Sequence, residues 1–240
     1  MQFDDIEKAS LDLIANLAKF PGAVIAVDTE ATGLNVASGE DKCIGVSIAA
    51  VVDSTAYSHY FPFNHPKGDN CSSEVIFALG ELLENNLNTL LFVNAQFDIL
   101  SLETIGIYTE HANIIDVSAM AHLINENKPY NKGLDSLAQY YLKEPGKVKD
   151  PEIEKEKKTG WQNTTWQQIW EYAVLDAVST WRIYEVLRVM RQWDEVKDSV
   201  WPHKQDLIRV LLSMKRHGVR IDTQLAQKYV EMGEVRMAQI

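Results

Sequence analysis

Residues 24–30, which read VIAVDTE, constrain the fold of this 240-residue chain more than any other segment. A run of apolar and β-branched residues of this kind is typical of a buried strand in an α/β sheet. Because strand side chains alternate between the two faces, Asp28 and Glu30 project from one face and Thr29 from the other. Adjacent carboxylates repel each other unless a cation lies between them. The pair predicts a divalent-metal site, and a solvated strand end is the alternative for an acid-x-acid pair alone.

A second acid follows another apolar segment. Residues 89–93 predict a strand, after which Asn94 fits the N-cap of a helix over 96–104. Asp98 then lies in the first helical turn, at the sheet edge where open α/β folds bind their ligands. An acid that complements the helix dipole is the alternative for Asp98 alone.

A third segment pairs a tyrosine with an acid. Thr165 and Gln168 form a capping box before an amphipathic helix predicted over 169–190. Tyr172 and Asp176 are four residues apart and therefore share one helix face. Core packing for the tyrosine and a solvated position for the aspartate are the alternatives for each residue taken singly.

The order of the remaining segments predicts an α/β fold with a mixed central sheet. Strands are expected over 23–28, 42–51 and 56–61, near residue 89 and over 113–116, and the first helices over 4–19, 73–84 and 96–104. Further helices are expected up to the C-terminus. Strands gathered early and crossed by helices are typical of a sheet flanked by helices.

Together these segments resemble the three exonuclease motifs of the DnaQ-like 3′-5′ exonucleases, as they occur in family A DNA polymerases. The matching residues are Asp28 and Glu30 in the first motif, Asn94, Phe97 and Asp98 in the second, and Tyr172 and Asp176 in the third. The resemblance implies an RNase H-like fold, and a tyrosine in place of histidine indicates the DEDDy branch. It also implies removal of 3′-terminal deoxynucleotides as 5′-monophosphates, which is the proofreading reaction.

Phosphodiester hydrolysis of this kind uses two divalent ions roughly 3.5 to 4 Å apart, which lower the pKa of the attacking water and stabilise the leaving 3′ oxygen. We expect Asp28 to bridge the two ions. Glu30 and Asp176 are expected to complete the site on the nucleophile side, and Asp98 to hold the second ion directly or through water. Oxygen ligands of this type select Mg²⁺ or Mn²⁺ and not Zn²⁺.

The resemblance also assigns residues that bind the substrate. Tyr172 is expected to orient the attacking water, and Leu34 to wedge against the terminal bases, with a core contact as the alternative for Leu34. Asn94 and Phe97 match residues that contact the terminal nucleotide, with helix capping and core packing as their alternatives. Lys132 lies near the family's phosphate-contacting arginine.

Two domains are expected, an exonuclease domain over 1–197 and the helical start of a truncated family A polymerase domain over 198–240. Residues 214–222 resemble the opening of that polymerase domain, and Gly218 is a plausible helix stop. The catalytic polymerase acids are absent, so polymerisation by this chain alone is not expected. The implied partners are the 3′ end of single-stranded or frayed DNA and the remainder of a polymerase, in cis or as a separate chain.

The composition limits the kinds of ligand and location. A net charge of -11 argues against strong duplex binding, which needs clusters of Lys and Arg. Bound metal ions reverse the local sign at the acid cluster, and a short single-stranded end needs few phosphate contacts. No membrane span or targeting segment is evident, and Cys43 and Cys71 lack C-x-x-C spacing. We therefore expect a reduced, soluble, cytoplasmic protein.

Residues 143–160 are rich in Lys, Glu, Pro and Gly and predict a mobile surface linker. The alternative is a flap over the bound strand that uses Lys155, Lys157, Lys158 and Trp161.

Three functions agree with these features. The first is a proofreading exonuclease, the second an RNase D-like exoribonuclease with the same acids, and the third a non-catalytic module that clamps DNA. The segment over 214–222 favours the first over the second, and the complete set of acids argues against the third.

Overall fold

The structure is a computed structural model that describes residues 5–109, 111–145, 153, 155–156, 159–161 and 163–239. Within these residues, five strands form one mixed sheet in the order β3-β2-β1-β4-β5. β1 pairs antiparallel with β2 and parallel with β4, while β3 and β5 lie at the two edges. The strands are β1 (Val24–Ala31), β2 (Cys43–Val52), β3 (Thr55–Pro62), β4 (Thr89–Phe92) and β5 (Asn113–Asp116).

Helices cover both faces of the sheet and continue beyond it. In chain order they are α1 (Ile6–Leu17), α2 (Ser73–Leu83), α3 (Ala95–Glu103), α4 (Val117–Ile124), α5 (Leu134–Leu137), α6 (Trp166–Leu187), α7 (Arg191–Val196), α8 (Trp201–His217) and α9 (Thr223–Met237). A short 3₁₀ helix spans Val36–Ser38, and a π-helical turn, Ala138–Leu142, follows α5. The predicted α/β architecture with a mixed central sheet and C-terminal helices is confirmed.

The alternation of side chains along β1 divides the interior into two layers. Ile25 and Val27 belong to a core with α1, α2 and α3, whereas Ala26 belongs to a core with α4 and α6. Burial of apolar area on both faces explains why the central strands are almost continuously hydrophobic. The face of β1 that carries Asp28 and Glu30 is therefore the face covered by α6.

Two boundaries differ from the sequence prediction in a way that matters for the site. β1 continues to Ala31 instead of ending at residue 28, so Asp28 and Glu30 lie within the strand. Their backbones are held in register opposite Ser47 and Gly45 of β2, up to an irregularity in the pairing between Glu30 and Ala31. Helix α6 begins at Trp166, and the predicted capping box is confirmed, since the Thr165 N–H donates to Gln168 Oε1 at 2.8 Å.

The last two helices differ in how they pack. α8 contributes Ile208 and Leu212 to the core beneath α3, whereas α9 has no buried residue. Among the described residues, no helix is long and apolar enough to cross a membrane. Most of the predicted linker over 143–160, including Lys157 and Lys158 of the flap alternative, lies outside the described residues, as do residue 4 of the first predicted helix and residue 240.

Candidate active site

Three predicted metal ligands meet between β1 and α6. One carboxylate oxygen each from Asp28, Glu30 and Asp176 lies within 4.8 Å of the other two. Glu30 and Asp176 are buried and Asp28 is half-buried. Asp176 reaches this point because α6 packs across the sheet with Ala177 in the same core as Ala26. The structure thus brings together acids that are almost 150 residues apart in sequence.

The fourth predicted ligand, Asp98, is held from the other face of β1. It lies in the first turn of α3, is only 4% exposed, and accepts two hydrogen bonds at Oδ1 from Thr29. The Thr29 N–H donates at 3.0 Å and the Thr29 hydroxyl at 2.8 Å. Thr29 points away from its two acidic neighbours, as the strand alternation predicts, and this is what allows it to bind Asp98. The role of Thr29 was not anticipated from the sequence.

The pKa of Asp98 depends on its burial and on neighbouring groups, including Asp28 of β1. Burial raises the pKa of the Asp98 carboxyl well above its usual range, and the nearby negative charges of Asp28 and Asp116 raise it further. The two hydrogen bonds from Thr29 lower the pKa and so oppose this effect. A bound cation offsets the repulsion among crowded carboxylates. Such a group of acids therefore favours cation binding.

A second carboxylate, Asp116, positions the helix that carries Asp98. Asp116 ends β5 and accepts hydrogen bonds from the Ala95 N–H at 2.9 Å and from the Ala119 N–H at 3.0 Å. It therefore caps the starts of α3 and α4 together. Asn94 occupies the N-cap position of α3 but has a left-handed backbone (φ 69°) and makes no side-chain cap bond. Asn94 therefore occupies the predicted N-cap position without capping the helix through its side chain.

Tyr172 lies one helical turn before Asp176 on α6, as its spacing predicts. It is half-buried and packs against a cluster formed by Tyr60, Trp161, Trp166 and Ile169 among others. Its ring centroid is 6.3 Å from that of Trp161. The predicted flap alternative gave Trp161 an exposed, strand-binding role, and this is wrong because Trp161 is 1% exposed.

The predicted wedge, Leu34, lies at the surface in the loop that follows β1. Its side chain is 85% exposed, so the alternative of a core contact is wrong. The loop that carries it is fixed by Asp41, whose carboxylate accepts from the Thr32 hydroxyl at 3.0 Å and from the Asn35 N–H at 2.7 Å. A rigid loop with an apolar tip is suited to pressing against a base.

The remaining predicted binding residues lie on the side of α3. Asn94 and Lys132 line one groove of about 350 Å³ together with Asp116 and Gln96, while Phe97 is half-buried against the core under α3. The Lys132 ammonium group donates to the carbonyl oxygens of Asn125 at 2.9 Å and Pro129 at 2.5 Å. Lys132 thus stabilises its own loop while it adds positive charge to the groove.

A buried tyrosine and a buried histidine form a hydrogen-bonded pair near Glu30. The Tyr60 hydroxyl is hydrogen bonded to His65 Nε2 at 2.6 Å, and burial together with the charge of Glu30 raises the pKa of Tyr60 well above its usual range. Gly45, which pairs with Glu30, leaves room for this tyrosine, because a Cβ at position 45 would lie 2.1 Å from the Tyr60 hydroxyl oxygen. Sequence reasoning missed this pair, and an isolated glycine inside a strand was the available signal.

The donor set fits a hard divalent cation. All three clustered ligands are carboxylates, and no thiolate or imidazole belongs to this group of described residues. Oxygen-only ligands with several negative charges are typical of Mg²⁺ and Mn²⁺ sites. The geometry therefore supports a site for a hard divalent cation.

Comparison with known proteins gives the same picture. A family model described as 3′-5′ exonuclease, of the DNA polymerase A type, matches residues 1–192. DNA polymerase I of Synechocystis sp. is 26% identical over 221 residues, which cover 88% of this chain and 21% of that protein. DNA polymerase DpoZ of Salmonella phage PMBT28 is 27% identical over 223 residues, which cover 86% of this chain and 32% of that protein. The chain thus spans at most about a third of these relatives.

Solved structures share the fold at low identity. The POL domain of Pol1 from M. smegmatis, in complex with DNA primer-template and dNTP, has a TM-score of 0.65 at 16% identity, covering 92% of this chain and 34% of that chain. Escherichia coli RNase D, an exoribonuclease involved in structured RNA processing, has a TM-score of 0.56 at 18% identity, covering 89% and 50%. Both are similar to this chain in fold.

Proposed function

Because this chain belongs to the family of 3′-5′ exonuclease domains found in family A DNA polymerases, we propose that it hydrolyses the 3′-terminal phosphodiester bond of DNA and releases 5′-mononucleotides. The observation that carries this proposal is the convergence of carboxylate oxygens of Asp28, Glu30 and Asp176 to within 4.8 Å of one another, with Asp98 near enough for the charge of Asp28 to raise its pKa. A non-catalytic clamp has no need for buried acids that repel each other.

Four carboxylates hold the metal ions in this proposal. Asp28, Glu30 and Asp176 would hold the Mg²⁺ or Mn²⁺ ion that activates the attacking water, and Asp28 and Asp98 would hold the ion that stabilises the leaving 3′ oxygen. The ions, when bound, lower the pKa of the attacking water and neutralise the charge on the leaving 3′ oxygen. The hydrogen bonds from Thr29 fix the Asp98 carboxylate against β1.

The protein side chains supply orientation. Tyr172 aims its hydroxyl at the attacking water, and it acts as a hydrogen-bonding group without needing to ionise. Leu34 presses on the terminal base, Asn94 and Phe97 contact the terminal nucleotide, and Lys132 contributes positive charge beside the groove that it shares with Asn94. These contacts place the scissile phosphate at the acid cluster.

The polymerase context is a further part of the proposal. We propose that residues 1–197 form the exonuclease domain and that 198–240 are the helical start of a polymerase domain. The relatives are full polymerases, of which this chain covers 21% and 32%. The partners would be a single-stranded or frayed 3′ end and the rest of a polymerase, with proofreading as the biological role. A cytoplasmic location remains a prediction.

A second candidate is an RNase D-like exoribonuclease. The specific observation in its favour is the similarity in fold to Escherichia coli RNase D. The four acids do not discriminate between deoxyribose and ribose, because they contact metal ions and phosphate. The family match and the two polymerase relatives favour DNA.

The direct test uses end-labelled oligonucleotides of one sequence as single-stranded DNA, single-stranded RNA, matched duplex and 3′-mismatched duplex, each with Mg²⁺, Mn²⁺ or EDTA. We expect stepwise shortening from the 3′ end, release of 5′-mononucleotides and complete loss with EDTA. Extracting a paired end costs a few kcal/mol of unpairing and unstacking, so single-stranded and mismatched ends should be degraded faster than matched ends. A strong preference for RNA would establish the exoribonuclease alternative.

A further inference from the structure

Trp161, which precedes α6, packs against Tyr172, the residue proposed above to orient the attacking water. Trp161 is 1% exposed, and its ring lies 6.3 Å from the Tyr172 ring at an interplanar angle of 45°. Tyr172 itself is half-buried, and it packs against the buried cluster to which Trp161 belongs.

Local hydrogen bonds fix Trp161 in this position. The backbone N–H of Trp161 donates to the backbone carbonyl oxygen of Glu156 at 2.8 Å. The Glu156 carboxylate accepts from the Asn163 N–H at 3.2 Å and from the Thr164 hydroxyl at 3.1 Å. These contacts hold the backbone of Trp161, and its buried indole ring forms one wall against Tyr172.

The preceding glycine connects the same turn to the loop after β1. Gly160 is buried and has a left-handed backbone (φ +66°), and a Cβ at this position would lie 2.2 Å from the Thr32 carbonyl oxygen. Only glycine allows this close approach of two backbones. Thr32 leads into the loop that carries the exposed Leu34. Gly160 therefore lies against the loop of Leu34, while the adjacent Trp161 contacts Tyr172. The pair connects these two parts of the site.

We propose that Gly160 and Trp161 form a positioning element, in which Trp161 holds the ring of Tyr172 and Gly160 holds the turn against the loop of Leu34. The proposal rests on the function proposed above, in which Tyr172 orients the attacking water. A half-buried tyrosine without a fixed wall would sample several side-chain orientations, and a displacement of about 1 Å at a reacting group costs up to about 100-fold in rate. Trp161 is thus a positioning residue that acts through Tyr172.

A double-mutant cycle tests the link between the two rings. We expect Trp161→Phe to lower kcat on single-stranded DNA by about 10-fold in the Tyr172 background, with unchanged dependence on Mn²⁺ concentration. In a Tyr172→Phe background, Trp161→Phe should cause no further loss. Additive losses in the two backgrounds would overturn the proposal. Trp193→Phe is the matched control, because Trp193 is buried in the other core and should leave kcat unchanged.

A glycine substitution tests the contact with Thr32 separately. Gly160→Ala should slow cleavage and weaken the discrimination between mismatched and matched ends, because it separates the turn from the loop of Leu34. Gly39→Ala is the control, since Gly39 has a similar left-handed backbone (φ +76°) but has no atom within 4 Å of an added Cβ. Equal effects of the two glycine variants would overturn this part of the proposal.

A spectroscopic measurement separates this proposal from the proposed function. In protein labelled with ¹³Cζ-tyrosine, the Tyr172 signal is assigned by its loss in Tyr172→Phe. We expect Trp161→Phe to shift and broaden that signal, and Trp193→Phe to leave it unchanged. An unshifted Tyr172 signal would overturn the positioning role whether or not the protein cleaves DNA. An inactive wild-type protein with a shifted signal would instead contradict the proposed function.

Discussion

Asp28 is the residue whose charge most affects the rest of the site. One of its carboxylate oxygens lies within 4.8 Å of an oxygen of Glu30 and of Asp176. Its negative charge also raises the pKa of Asp98. Strand β2 holds Asp28 and Glu30 in register, so their carboxylates stay close together. A cation bound between these carboxylates and Asp176 offsets their repulsion, and keeping such a site trades stability for function.

We expect Asp28→Asn to lower the rate of nuclease cleavage by at least about 10³-fold, because it removes the bridging ligand. The melting temperature of the metal-free protein should rise, since one repelling charge is lost. Cleavage assays with Mn²⁺ and thermal unfolding with EDTA measure the two effects. The exposed residue Asp12 provides a control as Asp12→Asn, and turnover near that of wild type in Asp28→Asn would refute the metal assignment.

We expect Thr29→Val to lower the cleavage rate by about 10-fold and to reduce the free energy of unfolding by about 1 to 3 kcal/mol. The substitution keeps the side-chain shape but removes the hydroxyl donor at 2.8 Å from Asp98, which leaves a buried acceptor less satisfied. Steady-state kinetics and chemical denaturation measure these changes. Thr55→Val, at an exposed position of β3, is the control, and equal behaviour of the two variants would show that Thr29 does not anchor Asp98.

At the scale of elements, the site depends on how helices begin. α3 and α4 start from adjacent parallel strands, and the single carboxylate of Asp116 accepts a hydrogen bond from the first turn of each. Negative charge at a helix N-terminus is favourable by itself, and here it also sets the distance between two helices. The position of Asp98 is therefore controlled by Asp116, through the start of the helix that carries Asp98.

We expect Asp116→Asn to reduce the free energy of unfolding by about 1 to 2 kcal/mol, because the Ala95 and Ala119 N–H groups donate to different oxygens of Asp116 and the amide NH2 cannot accept one of these bonds. Cleavage should also slow, through the displacement of Asp98. Denaturant unfolding and cleavage kinetics measure both. Asp222→Asn makes the same change at the N-cap of α9, where a single oxygen accepts from the Leu225 N–H and the amide oxygen can replace it, so neither quantity should change. Similar losses in the two variants would contradict a specific role for Asp116.

At the scale of the whole molecule, stability depends on keeping two histidines neutral. His59 is bonded to the Ser10 hydroxyl at 3.0 Å and His65 to the Tyr60 hydroxyl at 2.6 Å, both in buried positions. Burial lowers the pKa of each histidine from 6.5 to about 4. The unfolded chain therefore binds more protons than the native chain between these two pH values.

We expect the free energy of unfolding to be highest, with respect to these groups, above pH 6.5 and to fall as the pH decreases toward 4. A shift of this size corresponds to roughly 3 kcal/mol for each histidine. Denaturant unfolding at pH 4.5, 5.5, 6.5 and 7.5 measures the slope, which should be shallower in His59→Gln than in wild type. His217→Gln, at an exposed position of α8, should leave the slope unchanged, and an unchanged slope in His59→Gln would disprove the prediction.

The sequence alone was sufficient to predict features that follow from local geometry. Strand alternation placed Asp28 and Glu30 on one face, and helical spacing placed Tyr172 one turn from Asp176. The mixed sheet followed from the order of apolar segments. These predictions succeed because each depends on residues within a few positions of one another, where backbone geometry fixes the relative directions of side chains.

The tertiary structure decided which distant residues support that local arrangement. The anchor of Asp98 is Thr29, 69 residues away, and Trp161 is a buried wall and not part of an exposed flap. The Lys132 ammonium group donates hydrogen bonds to two carbonyl oxygens of its own loop. A segment's own sequence does not specify which other element covers it, because burial arises only when separate segments pack together and exclude water. The identity of the acids was therefore local information, whereas their orientation and support were decided by packing.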